Sequence, residues 1–461
     1  MPITGAFILP HPPIIMPQVG RGEEKKISKT ISSFEEIARR VAALKPDTIV
    51  LTSPHSIMYS DYFHISPGVS AQGDLGSFGA PQVAVSARYD TWFIGELEKE
   101  AKSKGIPAGT LGERDKTLDH GTVIPLAFVN KVYSDYSLVR IGLSGLPLAD
   151  HYRLGMCIAR VAERSGKNVV FIASGDLSHK VSASGPYGFA PEGPEFDRQI
   201  TGAMAEGDFL KFLSFPPEFT EKAAECGLRS CVIMAGALDG KRVQAELLSY
   251  EGTFGVGYGT ASFFPGGEDG SRRFLEIYLE RERSRIEEIK KNEDEYVKLA
   301  RHCVEHFIKT GKLAPVPQGL SDEMLKSKAG VFVTIKKHGE LRGCIGTISP
   351  VTNSIAEEIC RNAVSSCAGD PRFDPVRPEE LPDLQYSVDV LSPPENISSP
   401  DMLDVKRYGV IVSRGARRGL LLPNLDGVDT VEQQIDIAMK KAGIRPGEDY
   451  KLQRFEVIRH Q

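Results

Sequence analysis

Four of the ten histidines share a sequence context that the other six lack. His11 in LPHPPI, His55 in LTSPHS and His179 in IASGDLSHK each follow an apolar run, and His120 stands in the polar turn TLDHGTVIPL. A lone histidine at a strand end is ordinarily a surface or capping residue. Four in equivalent places point to a shared site that binds a metal or moves protons, because neutral imidazole suits iron, zinc, copper and nickel. Two histidines and one carboxylate on one face leave coordination positions open, as in non-haem Fe(II) oxygenases. Glu225, in EKAAECGLRSCVIMAGAL, is the carboxylate expected to complete such a set. Cys226 beside it is the alternative ligand, and a thiolate there would move the expected metal toward zinc or copper. Asp176, three residues before His179, suits two roles: fixing a histidine tautomer, or capping a helix together with Ser174. His64, His151, His302, His306, His338 and His460 lack this context and read as structural or surface residues.

These side chains need a scaffold that brings distant residues to one edge. DTIVLTS (47–53), SLVRIGLS (137–144) and NVVFIASG (168–175) are near-continuous apolar runs, the pattern of strands buried on both faces. AFIL before His11 reads the same way, and Pro12 and Pro13 lock the chain as it leaves. Between these runs, 30–45 and 148–166 place apolar residues at helical spacing. The alternation predicts an α/β domain, a mostly parallel sheet with helices on both faces. In such sheets ligands collect outside the carboxyl ends of the strands, where three of the four histidines fall. ELLSYEG and GVGYGTASFF read as the last strands of this domain, residues 1–266.

PGGEDGSRR (265–273) clusters proline, glycine and charge, so a linker is expected over 267–285. The Glu-, Lys- and Arg-rich stretch up to about residue 310 predicts one or two solvated helices. The remainder, 286–461, mixes short strands with helices and reads as a second, α+β domain. Its sharpest stretch is ELRGCIGTISP, where Arg342, Gly343, Cys344 and Gly346 are the site residues to consider. Glycines allow close backbone approach and Arg342 favours a thiolate, although a free cysteine in such a turn is more often packing. SSCAGDPRFDPV adds a turn-rich loop with Arg372 and Asp374.

The 461 residues are 41% hydrophobic and 25% charged with a net charge of −5, the balance of a soluble globular protein. No basic surface suggests a nucleic-acid partner, and no apolar run is long enough for a membrane span. The N-terminus lacks the basic region of a signal peptide. Seven cysteines without framework spacing suggest reduced thiols and a cytoplasmic location.

The motifs HPPI, SPH, LDHGTVIPL, SGDLSH and ECGLR…GAL, in that order and closed by GVGYGTASF, resemble the B-type catalytic subunit of class III extradiol ring-cleavage dioxygenases. That resemblance implies Fe(II) held by His11, His55 and Glu225, with His179 as general acid–base. It implies His120 in the substrate pocket, bonded to a substrate oxygen, and a catechol-like aromatic substrate consumed with O2. The Memo family shares the motif order but has a cysteine where the dioxygenases have the glutamate. Both residue types stand side by side here, so binding of a redox metal through Cys226 without ring cleavage is the alternative. LRGCIGT, DPRFDPV, YSVDVLSPPE and GLLLPN resemble the AMMECR-type domain over 286–461. The fusion resembles prokaryotic systems that include a radical-SAM protein, which implies such a partner. Homo-oligomerisation is left open.

Overall fold

The computed structural model describes residues 3–114, 117–425 and 427–461. The chain divides into two compact units between Leu279 and Glu280. Ten strands belong to the first: β1 (Ile3–Leu9), β2 (Thr48–Ser53), β3 (Phe63–His64), β4 (Ser70–Leu75), β5 (Ala80–Tyr89), β6 (Ala108–Gly109), β7 (Ser137–Gly142), β8 (Val169–Ser174), β9 (Lys241–Glu251) and β10 (Tyr258–Glu268). Eight of them form one sheet in the order β4-β5-β7-β2-β8-β1-β10-β9, while β3 and β6 pair separately.

The centre of the sheet, β5-β7-β2-β8-β1, is parallel, as the apolar runs predict. Every residue of TIVLTS and VVFIAS is buried, because helices cover these strands on both sides. The helices Ser28–Leu44 and Leu148–Ser165 fall where helical spacing predicts them. The sheet is mostly parallel, as expected: β4 and β10 run against the central strands, and β9 pairs antiparallel with β10 at the edge. β5 alternates buried and exposed residues, the pattern of a half-solvated strand rather than of a continuous apolar run.

Parallel pairing has a direct consequence for the histidines. Leu9 of β1 pairs with Ser174 of β8, and Thr52 of β2 pairs with Ala173 of β8. β8 therefore lies between the two strands that precede His11 and His55, and all three chains leave at the same edge.

The second unit carries β11 (Gly330–Lys337), β12 (Glu340–Gly346), β13 (Leu384–Leu391), β14 (Glu395–Ile397), β15 (Tyr408–Arg414), β16 (Arg417–Leu421) and β17 (Lys451–His460). They form an antiparallel sheet in the order β12-β11-β13-β17-β15-β16, with β14 also on β17. The helices Glu295–Thr310, Ile355–Ala368 and Val431–Ala442 complete an α+β unit.

The segment 267–285, read from sequence as a linker, holds the end of β10, a short turn of 3₁₀ helix at Gly270–Arg272 and the first part of the helix Phe274–Asn292. The divide between the units falls within that helix. The helix Glu295–Thr310 is not solvated all round: Tyr296, Val297, Ala300, Cys303 and Val304 line a face buried in the second unit's core. No helix among the described residues is long and apolar enough to cross a membrane.

Candidate metal centre

His11 lies two residues beyond β1 and is almost wholly buried, at 1% exposure. Its backbone N–H donates to Asp176 Oδ1 at 2.8 Å, and its ring Nδ1 lies 3.0 Å from Ser174 Oγ. The β1–β8 register explains both contacts, because two parallel chains paired at Leu9 and Ser174 continue side by side. His55 lies two residues beyond β2, and its Nε2 faces the Nε2 of His11 at 2.9 Å.

The third group comes from the turn before the helix Leu228–Ala237. Cys226 Sγ stands 3.7 Å from His11 Nε2 and accepts from the Asp176 backbone N–H at 3.3 Å. The donor atoms of His11, His55 and Cys226 all lie within 4.8 Å of one another, and among the described residues no other such group forms. Glu225, expected as the ligand, is outside it. Its Oε2 accepts from the Leu228 backbone N–H at 2.6 Å, which satisfies the first turn of the helix. Ala224 takes a left-handed conformation at φ 53°, a costly choice for a residue with a Cβ, and the two residues after it face opposite duties. The chains carrying Asp176 and Cys226 touch at two glycines: a Cβ on Gly175 would stand 2.2 Å from the Cα of Gly227.

Two further histidines border the group. His120 is the first residue of the helix His120–Val129, not a turn residue, because Asp119 caps that helix. Asp119 accepts from Ser53 Oγ and from Thr122 N–H at 2.5 and 3.1 Å, and Arg140 lies 3.5 Å away. The His120 ring packs 4.1 Å from His55 and 5.1 Å from Phe78, centroid to centroid. His179 donates Nδ1–H to the Ala224 carbonyl at 2.5 Å, and its ring meets Tyr187 edge-on. A cavity of about 430 Å³ opens beside His55, lined also by Met58, His64, Asp119 and Arg140.

Burial sets the protonation states. It holds His11 well below its ordinary range, with the neighbouring His55 and His120 adding to the effect. Burial likewise lowers His55 and brings His120 down to about 4. The same desolvation raises the carboxyls of Asp176 and Glu225 and the thiol of Cys226. This is a region in which negative charge is costly until a cation shares it.

Neither Ser174 nor Asp176 caps a helix, and it is Ser174, not Asp176, that meets a histidine ring. In the second unit, Arg342 forms a two-pronged ion pair with Glu380 at 3.0 Å for both bonds. Cys344 donates its N–H to Asp370 Oδ2 at 2.9 Å, and its sulfur lies 3.2 Å from Thr334 Oγ1. Gly343 and Gly346 are explained by packing: a Cβ would meet the Ser366 carbonyl at 2.1 Å and the Phe332 ring at 2.2 Å. Arg372 binds Asp370 and the Cys344 carbonyl, and the Asp374 carbonyl accepts from Arg342.

Known proteins share both halves. The profile of the family described as the catalytic LigB subunit of aromatic ring-opening dioxygenase matches residues 5–261, and that of AMMECR1 matches 297–460. A Clostridium acetobutylicum protein is 43% identical over 470 residues, covering the whole of both chains. The chain belongs to the LigB family, joined to an AMMECR1 unit. A Thermotoga maritima protein is 47% identical over 37% of this chain and 98% of its own. The crystal structure of an uncharacterized Pyrococcus horikoshii protein is 36% identical over 36% of this chain and 88% of its own, with a TM-score of 0.34.

LigB proteins typically bind a metal, and the His-His-Cys group is where this LigB unit can do so. Sequence reasoning passed over Asp119, Arg140, Tyr187 and Phe78. Asp119 had a signal, since an aspartate directly before an apolar helical run is a capping pattern. The other three act across the fold and carry no local mark.

Proposed function

We propose that the LigB unit is a Memo-like oxidoreductase domain: His11, His55 and Cys226 hold a redox-active transition metal, iron or copper, that does not cleave catechol rings. The observation that supports this reading is the pairing of both histidines with Cys226 while Glu225 is engaged by the helix. The donor set suits such an ion, because imidazole and thiolate together favour borderline and soft metals over hard ones. The two imidazole nitrogens face each other at 2.9 Å, buried His11 against solvent-reached His55, so one cation between them and Cys226 can be reached by all three donors. When bound, the metal supplies electron exchange with a small substrate and O2.

The protein's own groups have separable tasks. His179 donates its Nδ1–H to the Ala224 carbonyl, which can only accept, so in the neutral ring Nε2 carries the lone pair that can take a proton from a bound molecule. His120, lowered to about 4, is neutral near pH 7 and orients a substrate oxygen by hydrogen bonding rather than by charge. The cavity beside His55 has room for a single small aromatic molecule.

The test is metal analysis after anaerobic purification, followed by catechol and O2. The expected result is close to one iron or copper per chain in the wild type, its loss in His11→Ala and Cys226→Ala, its retention in Glu225→Ala, and no yellow ring-cleavage product. Metal lost in Glu225→Ala but kept in Cys226→Ala, with yellow product, would replace this reading by the extradiol one. Zinc alone would remove its redox part.

A further inference from the structure

We infer that Ser174 is a positioning residue that fixes the His11 tautomer and thereby presents the Nε2 lone pair to the metal; this rests on the metal-binding reading above. Hydrogen-bond stoichiometry at Ser174 fixes the tautomer. Ser174 Oγ lies 2.6 Å from the Gly121 carbonyl oxygen and 3.0 Å from His11 Nδ1. A carbonyl oxygen only accepts, and a serine hydroxyl has one proton to give. That proton is therefore spent on Gly121. The hydroxyl is left as an acceptor toward the ring, so Nδ1 must carry the hydrogen. Neutral imidazole has one N–H, so Nε2 carries the lone pair, and Nε2 is the atom facing His55 and Cys226.

The relay is rigid. Ser174 is wholly buried at the end of a fully buried strand, and it pairs with Leu9 in the sheet. The Gly121 carbonyl belongs to the first turn of the helix that begins with His120. One hydroxyl therefore ties the His11 ring to the element that carries His120. Metal-binding histidines characteristically donate their other ring nitrogen to an oxygen acceptor, and removing that acceptor costs 10–100-fold in affinity. Asp176 does not serve here, because its Oδ1 is held by the His11 backbone N–H rather than by the ring.

Two measurements test this on the full-length chain. In metal-free wild type, the ¹⁵N resonances of His11, assigned by their loss in His11→Gln, should show a protonated Nδ1 and a bare Nε2. In Ser174→Ala the ring should lose that single state, and anaerobic Co(II) titration should show affinity lowered about 10–100-fold. Ser174→Thr, which keeps the hydroxyl, should restore both, and circular dichroism of all three proteins checks that the fold is intact. An Nε2–H tautomer in the wild type, or unchanged Co(II) affinity in a folded Ser174→Ala, overturns the assignment. Absence of Co(II) binding to wild type would instead overturn the metal centre, and the tautomer measurement in the metal-free protein reads the relay independently of it.

Discussion

Asp197 shows how much of this site is decided by single buried groups. It is 1% exposed, accepts the Ser178 backbone N–H at 2.8 Å and the Tyr250 hydroxyl at 2.7 Å, and so anchors the loop that carries His179. Burial raises its carboxyl to about 7, with the nearby Asp176 and Glu225 adding to the shift. An unfolded aspartate loses its proton near pH 4. Between about pH 4 and 7 the folded state therefore holds the extra proton, and this group's contribution to stability falls as pH rises through that window. Asp197→Asn cannot ionise, so its stability relative to wild type should increase from pH 5 to pH 8, read by thermal melts of the metal-free protein. A difference independent of pH would show that the carboxyl titrates normally. Residue identity made His11, His55, His120 and His179 legible in the sequence. Which of residues 225 and 226 stands beside the histidines was not, because it follows from the path of the turn between Ala224, left-handed at φ 53°, and the helix at Leu228, and no local pattern announces that path.

Elements place these groups by close contact. The helix Leu228–Ala237, which follows Cys226 directly, crosses Leu148–Ser165 at two glycines. A Cβ on Gly236 would stand 2.0 Å from the Tyr152 carbonyl, and one on Gly155 would stand 2.0 Å from the Ile233 carbonyl. Gly236→Ala should therefore push the helices apart, cost about 1–3 kcal/mol in urea unfolding and weaken Co(II) binding by shifting the turn at Cys226. Full stability with unchanged Co(II) affinity would mean that the crossing does not set the position of that turn. The helices of this unit were partly legible: Ser28–Leu44 and Leu148–Ser165 follow from apolar spacing, whereas His120–Val129 is apolar on every side and shows no helical period. The central strands were legible for the reason that they are buried throughout. Their order and register were not, yet it is the Leu9–Ser174 register that sets His11 against Ser174 and Asp176.

At the scale of the whole molecule, the two units carry cores built from separate residues. The first core draws on Phe7, Val50, Phe171 and Phe263, and the second on Val297, Val333, Ile359 and Val388. The three candidate donors, His11, His55 and Cys226, all lie in the first. A ligand stabilises only the cooperative unit that binds it, by about 2.7 kcal/mol at a free concentration one hundred times its dissociation constant. For a unit of this size that is about 5–10 °C in Tm. Calorimetry of the full chain should therefore show two transitions, with saturating metal raising one by that amount and leaving the other in place. Cys226→Ala should abolish the shift without moving the second transition. A single transition that rises as a whole with metal would mean that the two units unfold together, and that the AMMECR1 unit is energetically coupled to the metal centre despite its separate core.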